Sequence, residues 1–208
     1  MDVTALFNVR DKVVLVTGGA KGIGYHLDQS SKTSHLLTAR ARRMISEGFV
    51  RGGAKVYISS RDASSCENAC QELNAQGPGS AHSIPANFYD EKECRRLANE
   101  IKKRETKLHV LINNSGSNWG APYDEYPDSA WIRVLTLNLQ RVFTITQLMT
   151  PLLEGASTKE DPARVVNIGS VDGLRVPALE TFAYSSSKAG LHHLSRVLAN
   201  HLGKRGIT

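Results

Sequence analysis

Short apolar runs alternate along the chain with longer amphipathic stretches. Lys12-Val-Val-Leu-Val16 is a brief β-branched run that stops at Thr17-Gly-Gly19. A continuous apolar run of this length, closed by glycine, predicts a strand buried on both faces. Residues 54–59, 108–112 and 164–168 repeat the pattern, and 81–85 repeat it more weakly. Between these runs, apolar residues recur at helical spacing over 43–51, 63–76, 90–104, 129–153 and 184–204. Strands alternating with helices predict right-handed βαβ crossovers. The expected fold is therefore α/β: a Rossmann-type, doubly wound parallel sheet in three layers (αβα). No repeat, low-complexity tract or linker interrupts residues 1–208, which read as a single domain.

Composition narrows the function classes. The chain is 40% hydrophobic and 22% charged, ordinary for a globular protein. Its net charge of +6 is spread along the sequence, with dense basic runs at 40–43 and 102–104. These read as solvated helix faces, so no nucleic-acid partner is expected. No apolar run reaches the length of a membrane span, so no membrane partner is expected either. Residues 1–12 lack the pattern of a targeting peptide. Three cysteines, with Cys66 and Cys70 one helical turn apart and Cys94 alone, form no zinc pattern. An odd count without a secretory signal points to a reducing compartment, the cytoplasm. His192 and His193 are adjacent and face different parts of a helix surface, so no metal site is expected.

Candidate chemistry gathers where the predicted strands end. After the first strand comes Thr17-Gly18-Gly19-Ala20-Lys21-Gly22-Ile23-Gly24. Gly18, Gly22 and Gly24 would let the backbone turn sharply and approach a pyrophosphate resting on the following helix N-terminus. Taken alone, such glycines also mark an ordinary turn. The second strand ends in Ser59-Ser60-Arg61. A carboxylate there would bind a ribose 2′-hydroxyl, whereas Arg61 would pair with a 2′-phosphate, and Lys21 can reach the same region. The expected cofactor is NADP(H); solvated cations are the alternative.

Tyr184-Ser-Ser-Ser-Lys188 places a phenol and an ammonium on one helix face. Phenols ordinarily titrate near 10, so proton exchange near neutral pH needs a neighbouring cation. A surface pair has the same spacing. Ser170, just past the fifth strand, could hold a carbonyl oxygen at the ligand-binding end of the sheet. A turn serine is the plainer reading of that position.

Thr17-Gly-x-x-x-Gly-x-Gly24, Asn113-Asn-Ser-Gly116, Asn138, Ser170 and Tyr184-x-x-x-Lys188 resemble, in order and spacing, the short-chain dehydrogenase/reductase family. The resemblance runs from about residue 12 to 208. It implies that Tyr184 is the general acid in reduction and that Lys188 binds the nicotinamide ribose and assists the phenol. Ser170 would orient the carbonyl, and Asn138 would hold a water linking Lys188 to solvent. Gly18, Lys21, Gly22, Ile23, Gly24, Ser60 and Arg61 would contact the cofactor's phosphates. Asn114 and Gly116 would border its ribose. Asn87 stands where the family commonly has an aspartate for the adenine amino group; its amide oxygen can accept the same bond. Ser115 replaces a common alanine.

Within the family, residues 113–120, Tyr126-Pro127 and residues 162–170 look like the NADPH-dependent 3-oxoacyl reductases of fatty acid metabolism. Trp119 and the loop to Tyr126 would then flank a substrate pocket, or else simply pack the loop. The implied substrate is a 3-oxoacyl thioester or another ketone (a sugar, a steroid or a polyketide), handled by a homodimer or homotetramer. A non-catalytic nucleotide-binding protein is the rival of another class.

Two features depart from the family. Residues 25–42, rich in Ser, Thr and His, interrupt the passage from Gly24 to Arg43-Met-Ile and read as an insertion, either genuine or an in-frame translated intron. The chain also stops at Gly206-Ile-Thr208, where a sixth strand would start, so the fold is expected to be C-terminally incomplete.

Overall fold

The computed structural model describes residues 8–18 and 44–208. Lys21, Gly22, Ile23, Gly24 and the expected insertion at 25–42 lie outside the described residues. Five strands appear where the apolar runs predict them: β1 (Val13–Thr17), β2 (Lys55–Ser59), β3 (Ser80–Ser83), β4 (Val110–Asn113) and β5 (Arg164–Asn167). All pair in parallel, in the order β3-β2-β1-β4-β5. The order reverses between β1 and β4, and in open α/β sheets the crevice at the carboxyl ends of such a pair receives the ligand.

The helical part of residues 44–51 forms α1, followed by α2 (Ala63–Asn74) and α3 (Glu91–Arg104). Asp62 caps α2, its carboxylate accepting from Ser65 N–H, and Asp90 caps α3 through Lys92 N–H. Alternation along β1 divides the core in two. Val13 and Leu15 join Leu97, Ile101, Ile145, Met149 and Leu153 on one face of the sheet. Val14 and Val16 join Val50, Cys66, Cys70 and Leu73 on the other. Each strand residue thus meets the layer its pleat points toward, which is why the runs are continuously apolar.

The stretch expected as one helix over 129–153 is broken. It comprises α4 (Asp128–Leu135), a π-turn (Thr136–Gln140) and α5 (Arg141–Ala156). A π-turn accommodates one surplus residue in an otherwise α-helical run. The last helix, α6 (Phe182–Leu202), begins two residues before Tyr184. At the sheet edge, Thr208 N–H donates to Ala163 O and Val165 N–H to Thr208 O, so Ile207 and Thr208 run parallel beside β5.

No helix among the described residues is long and apolar enough to cross a membrane. Nor does any group of three or more His, Cys, Asp or Glu side chains among them have the arrangement to hold a metal ion. The cysteines are free and buried, and burial pushes the thiols of Cys70 and Cys94 up to about 12 and about 11. Reactive cysteines sit instead in exposed, electropositive surroundings.

Candidate active site

The cradle at the switch point is laced together by Thr17. Its Oγ1 accepts from the N–H groups of Asn114 (3.0 Å) and Ser115 (3.1 Å) and donates to Ile112 O (3.3 Å). Asn114 Nδ2 donates back to Thr17 O at 3.0 Å, and Gly18 N–H donates to Ser59 O at 2.7 Å. The carboxyl ends of β1, β2 and β4 are thereby fixed relative to one another. Gly18 has φ of 71°, and a Cβ placed on it would lie 3.0 Å from Ser115 Cα. Only glycine keeps this turn unstrained and the crevice open.

At the end of β2, Ser60 Oγ lies 3.0 Å from the buried Cys66 Sγ. Arg61 is exposed, its guanidinium carbon 5.7 Å from the centre of the Tyr89 ring. Asp62, the adjacent carboxylate, turns to cap α2. Asn87 Oδ1 accepts from Tyr89 N–H at 3.2 Å, which leaves its second lone pair for the adenine contact expected of it.

Lys188 is buried, and its Nζ lies 5.7 Å from the centre of the Tyr184 ring and donates to Ile168 O at 2.6 Å. Ile168 opens the turn that carries Ser170, so one ammonium ties the helix of the phenol to the loop of the serine. Two glycines make that closeness possible. A side chain on Gly169 would strike His192 Nε2, and a Cβ on Gly173 would lie 2.7 Å from the backbone of Lys188 and Ala189. The turn therefore rests directly on α6. Ser170 Oγ accepts from Asp172 N–H at 3.2 Å, capping the 3-10 turn Val171–Gly173.

Asn138 sits at the centre of the π-turn and is fully buried. Its Oδ1 accepts from Ser117 N–H (2.8 Å), while Nδ2 donates to Ser117 O and to Ser187 Oγ, both at 2.9 Å. Ser187 Oγ in turn donates to Tyr184 O at 2.6 Å. The side chain expected to hold a water is thus first a latch: both its N–H groups are committed to protein, leaving one lone pair on Oδ1. Gly116 is needed beside it, because a Cβ there would approach Asn138 Oδ1 to 3.1 Å.

Tyr126 joins the same frame from the β4–α4 loop. Its hydroxyl donates to Trp119 O and accepts from Ala183 N–H, each at 3.2 Å. It supplies the cap that Thr181 does not give α6, one residue before Tyr184. Burial pushes the Tyr126 phenol above its ordinary range, so it keeps the proton it donates. Tyr126 was expected to flank a substrate pocket or to pack its loop; its cap on α6 was not expected, nor were the bonds of Thr17, the contact of Ser187 or the place of Tyr89. For Ser187 a signal existed, its place beside Lys188; the other contacts join residues far apart in sequence. A cavity of about 840 Å³ between residues 172–182 and the aromatic rings of Tyr123, Tyr126 and Trp131 opens on Ser185, Ser186 and Ala189, not on Tyr184 or Lys188.

A parallel sheet with its crevice at the switch point, joined to a helix presenting a tyrosine and a buried lysine, defines a nucleotide-dependent α/β oxidoreductase. The chain belongs to the short chain dehydrogenase family, whose model matches residues 42–208. The rhamnolipids biosynthesis 3-oxoacyl-[acyl-carrier-protein] reductase of Pseudomonas aeruginosa is 39% identical over 196 residues, 94% of this chain and 69% of that protein. The solved structure of the Pseudomonas aeruginosa RhlG/NADP active-site complex superimposes with a TM-score of 0.84 at 38% identity, covering 97% of this chain and 71% of that one. A 5-keto-D-gluconate 5-reductase of Escherichia coli (strain K12) is 25% identical over 202 residues, 97% of this chain and 70% of its own length. The family match begins at 42, the last residue of the expected insertion.

Proposed function

We propose that this chain is an NADP(H)-linked carbonyl reductase whose substrate is a 3-oxoacyl thioester. The observation that carries the reading is the junction made by Lys188: buried, beside the Tyr184 ring, and bonded to the carbonyl that opens the Ser170 turn. The thioester follows from the 3-oxoacyl reductase named above, which is the more similar of the two relatives.

The residues present fit a phosphorylated dinucleotide. Gly18 keeps open a turn that a Cβ would fill, and Ser59 Oγ and Ser117 Oγ are buried hydroxyls without a partner among the described residues. Asn114 and Gly116 would line the ribose side, Asn87 the adenine side, and Ser60 with Arg61 the 2′-phosphate side. Lys21, Gly22, Ile23 and Gly24 would complete the phosphate contacts. When bound, NADPH supplies the hydride.

The protein's own part is positioning and proton transfer. Ser170 Oγ donates a hydrogen bond to the substrate carbonyl oxygen and fixes its direction. Tyr184 delivers its phenolic proton to that oxygen as negative charge develops there. Lys188, held by Ile168 O, places positive charge beside the phenolate so formed and would bind the ribose hydroxyls. Asn138, through Ser187, fixes the turn of α6 on which Tyr184 stands.

The apolar groove of Leu139, Phe143, Gly190, Leu194 and Val197, shared by the π-turn, α5 and α6, supports self-association of this chain as a dimer or tetramer. Sedimentation velocity checks the assembly. Buried free thiols and a reducing cofactor fit the cytoplasm, which cell fractionation tests.

The direct test follows NADPH absorbance with an acetoacetyl thioester. Consumption that falls by about 10²–10⁴ in Y184F supports the reading. No consumption by the parent, or parental rates in Y184F, overturns it.

A further inference from the structure

We propose that Tyr89 is a positioning residue for cofactor choice: its ring is a shelf that holds the Arg61 guanidinium where the 2′-phosphate of NADP(H) arrives. The inference rests on the reading of Arg61 as the phosphate partner and goes beyond it, since nothing in the family motifs points to Tyr89.

Arg61 follows a strand end and is exposed. A free arginine on such a site samples many rotamers, and capturing one phosphate requires ordering it. The Tyr89 ring supplies that order. The guanidinium carbon lies 5.7 Å from the ring centre, within the range in which a cation is attracted to an aromatic face. The contact makes no hydrogen bond to the ring, so the guanidinium N–H groups keep the fork geometry that matches a phosphate.

The shelf itself is fixed. The Tyr89 ring is half-buried against the core of one sheet face. Its backbone is pinned from two sides. Arg141, at the start of α5, donates through Nε to Phe88 O (3.0 Å) and through Nη2 to Tyr89 O (3.2 Å). Asn87 Oδ1 accepts Tyr89 N–H. A helix on one layer thus braces a loop that steadies a cation just past the end of β2. Ser60, the other group on the phosphate side, is steadied separately by Cys66.

The test measures binding of 2′,5′-ADP and of 5′-AMP to the full chain by calorimetry, which needs no turnover. The parent is expected to prefer 2′,5′-ADP, and R61A to lose that preference. Y89L should weaken 2′,5′-ADP by roughly two- to fivefold, the scale of an exposed cation–π contact, with 5′-AMP unchanged. Y89F keeps the ring and should bind as the parent does. If R61A loses the preference and Y89L keeps it, Tyr89 has no such role while the phosphate reading stands. If the parent shows no preference, or R61A keeps it, the phosphate reading fails and this inference with it. The double variant R61A/Y89L guards against a merely loosened fold. A loss from Y89L that persists in the R61A background would show the effect to be general, and would also overturn the proposal.

Discussion

Replacing Asn138 with alanine should loosen the fold before it touches chemistry. In the parent, Asn138 satisfies both the N–H and the C=O of Ser117 and donates to Ser187 Oγ. N138A leaves the two Ser117 groups buried without partners, since Asn138 is fully buried and Ser117 nearly so. Each unsatisfied buried group costs about 1–3 kcal/mol, so the variant should lose about 2–6 kcal/mol. That is a large fraction of the about 5–15 kcal/mol that holds a typical domain folded. With a urea slope of about 2 kcal/mol/M, the unfolding midpoint should fall by about 1–3 M. The two tryptophans, Trp119 and Trp131, report unfolding by fluorescence. N138D should give no rescue, because it keeps the acceptor for Ser117 N–H but sets a carboxylate oxygen against Ser117 O and buries an unpaired charge. A midpoint in N138A within about 0.3 M of the parent, at the same slope, would refute the latch.

Other outcomes follow from local geometry. G18A forces a side chain into the left-handed region beside the Ser115 backbone, which costs at least about 1–2 kcal/mol and should lower Tm by about 2–8 °C; an unchanged calorimetric Tm contradicts this. His109 must be neutral to accept from Val13 N–H at 2.9 Å, and burial, then Lys12, holds it below the usual histidine range. The unfolded chain therefore takes up the proton first. This contribution is present above about pH 6.5 and is lost as pH falls toward the folded-state value. Tm measured from pH 7.5 to 5.5 should fall less steeply in H109N than in the parent, and equal slopes would rule the contribution out. On the reading of residues 25–42 as an insertion beside the phosphate-binding glycines, excising them should tighten NADPH binding about tenfold or more. Fluorescence titration checks this, and micromolar affinity in the intact chain would dispose of the idea.

Much of the framework was readable along the chain because parallel strands buried on both faces leave an unambiguous signature. β1 came out one residue further along than its apolar run, and β4 began at Val110 rather than Leu108. The Tyr184–Lys188 turn was equally legible, since spacing within one helix fixes which side chains share a face. The break at Thr136–Gln140 was not. A π-turn keeps apolar residues at nearly helical intervals, so Val134, Leu137 and Val142 read as one stripe. Long-range polar contacts were also hidden. Nothing in the order of residues announces that Tyr126 caps the helix starting at Phe182, or that Thr17 bonds across the sheet to Asn114. Asn138 shows the limit best: a polar residue interrupting an apolar helical run stands out in the sequence, while the partners that occupy it lie on a loop and on another helix.

Because the π-turn holds a surplus residue, no side-chain replacement can erase it. Removing one residue between 136 and 140 would convert the stretch to plain α-helix and rotate one half against the other by roughly 100°. Either α4 would swing away from α6, or Ile145, Met149 and Leu153 would leave the sheet. The two helices are therefore locked in phase by an irregularity, and this chain can drift in composition around Asn138 far more easily than it can change in length there.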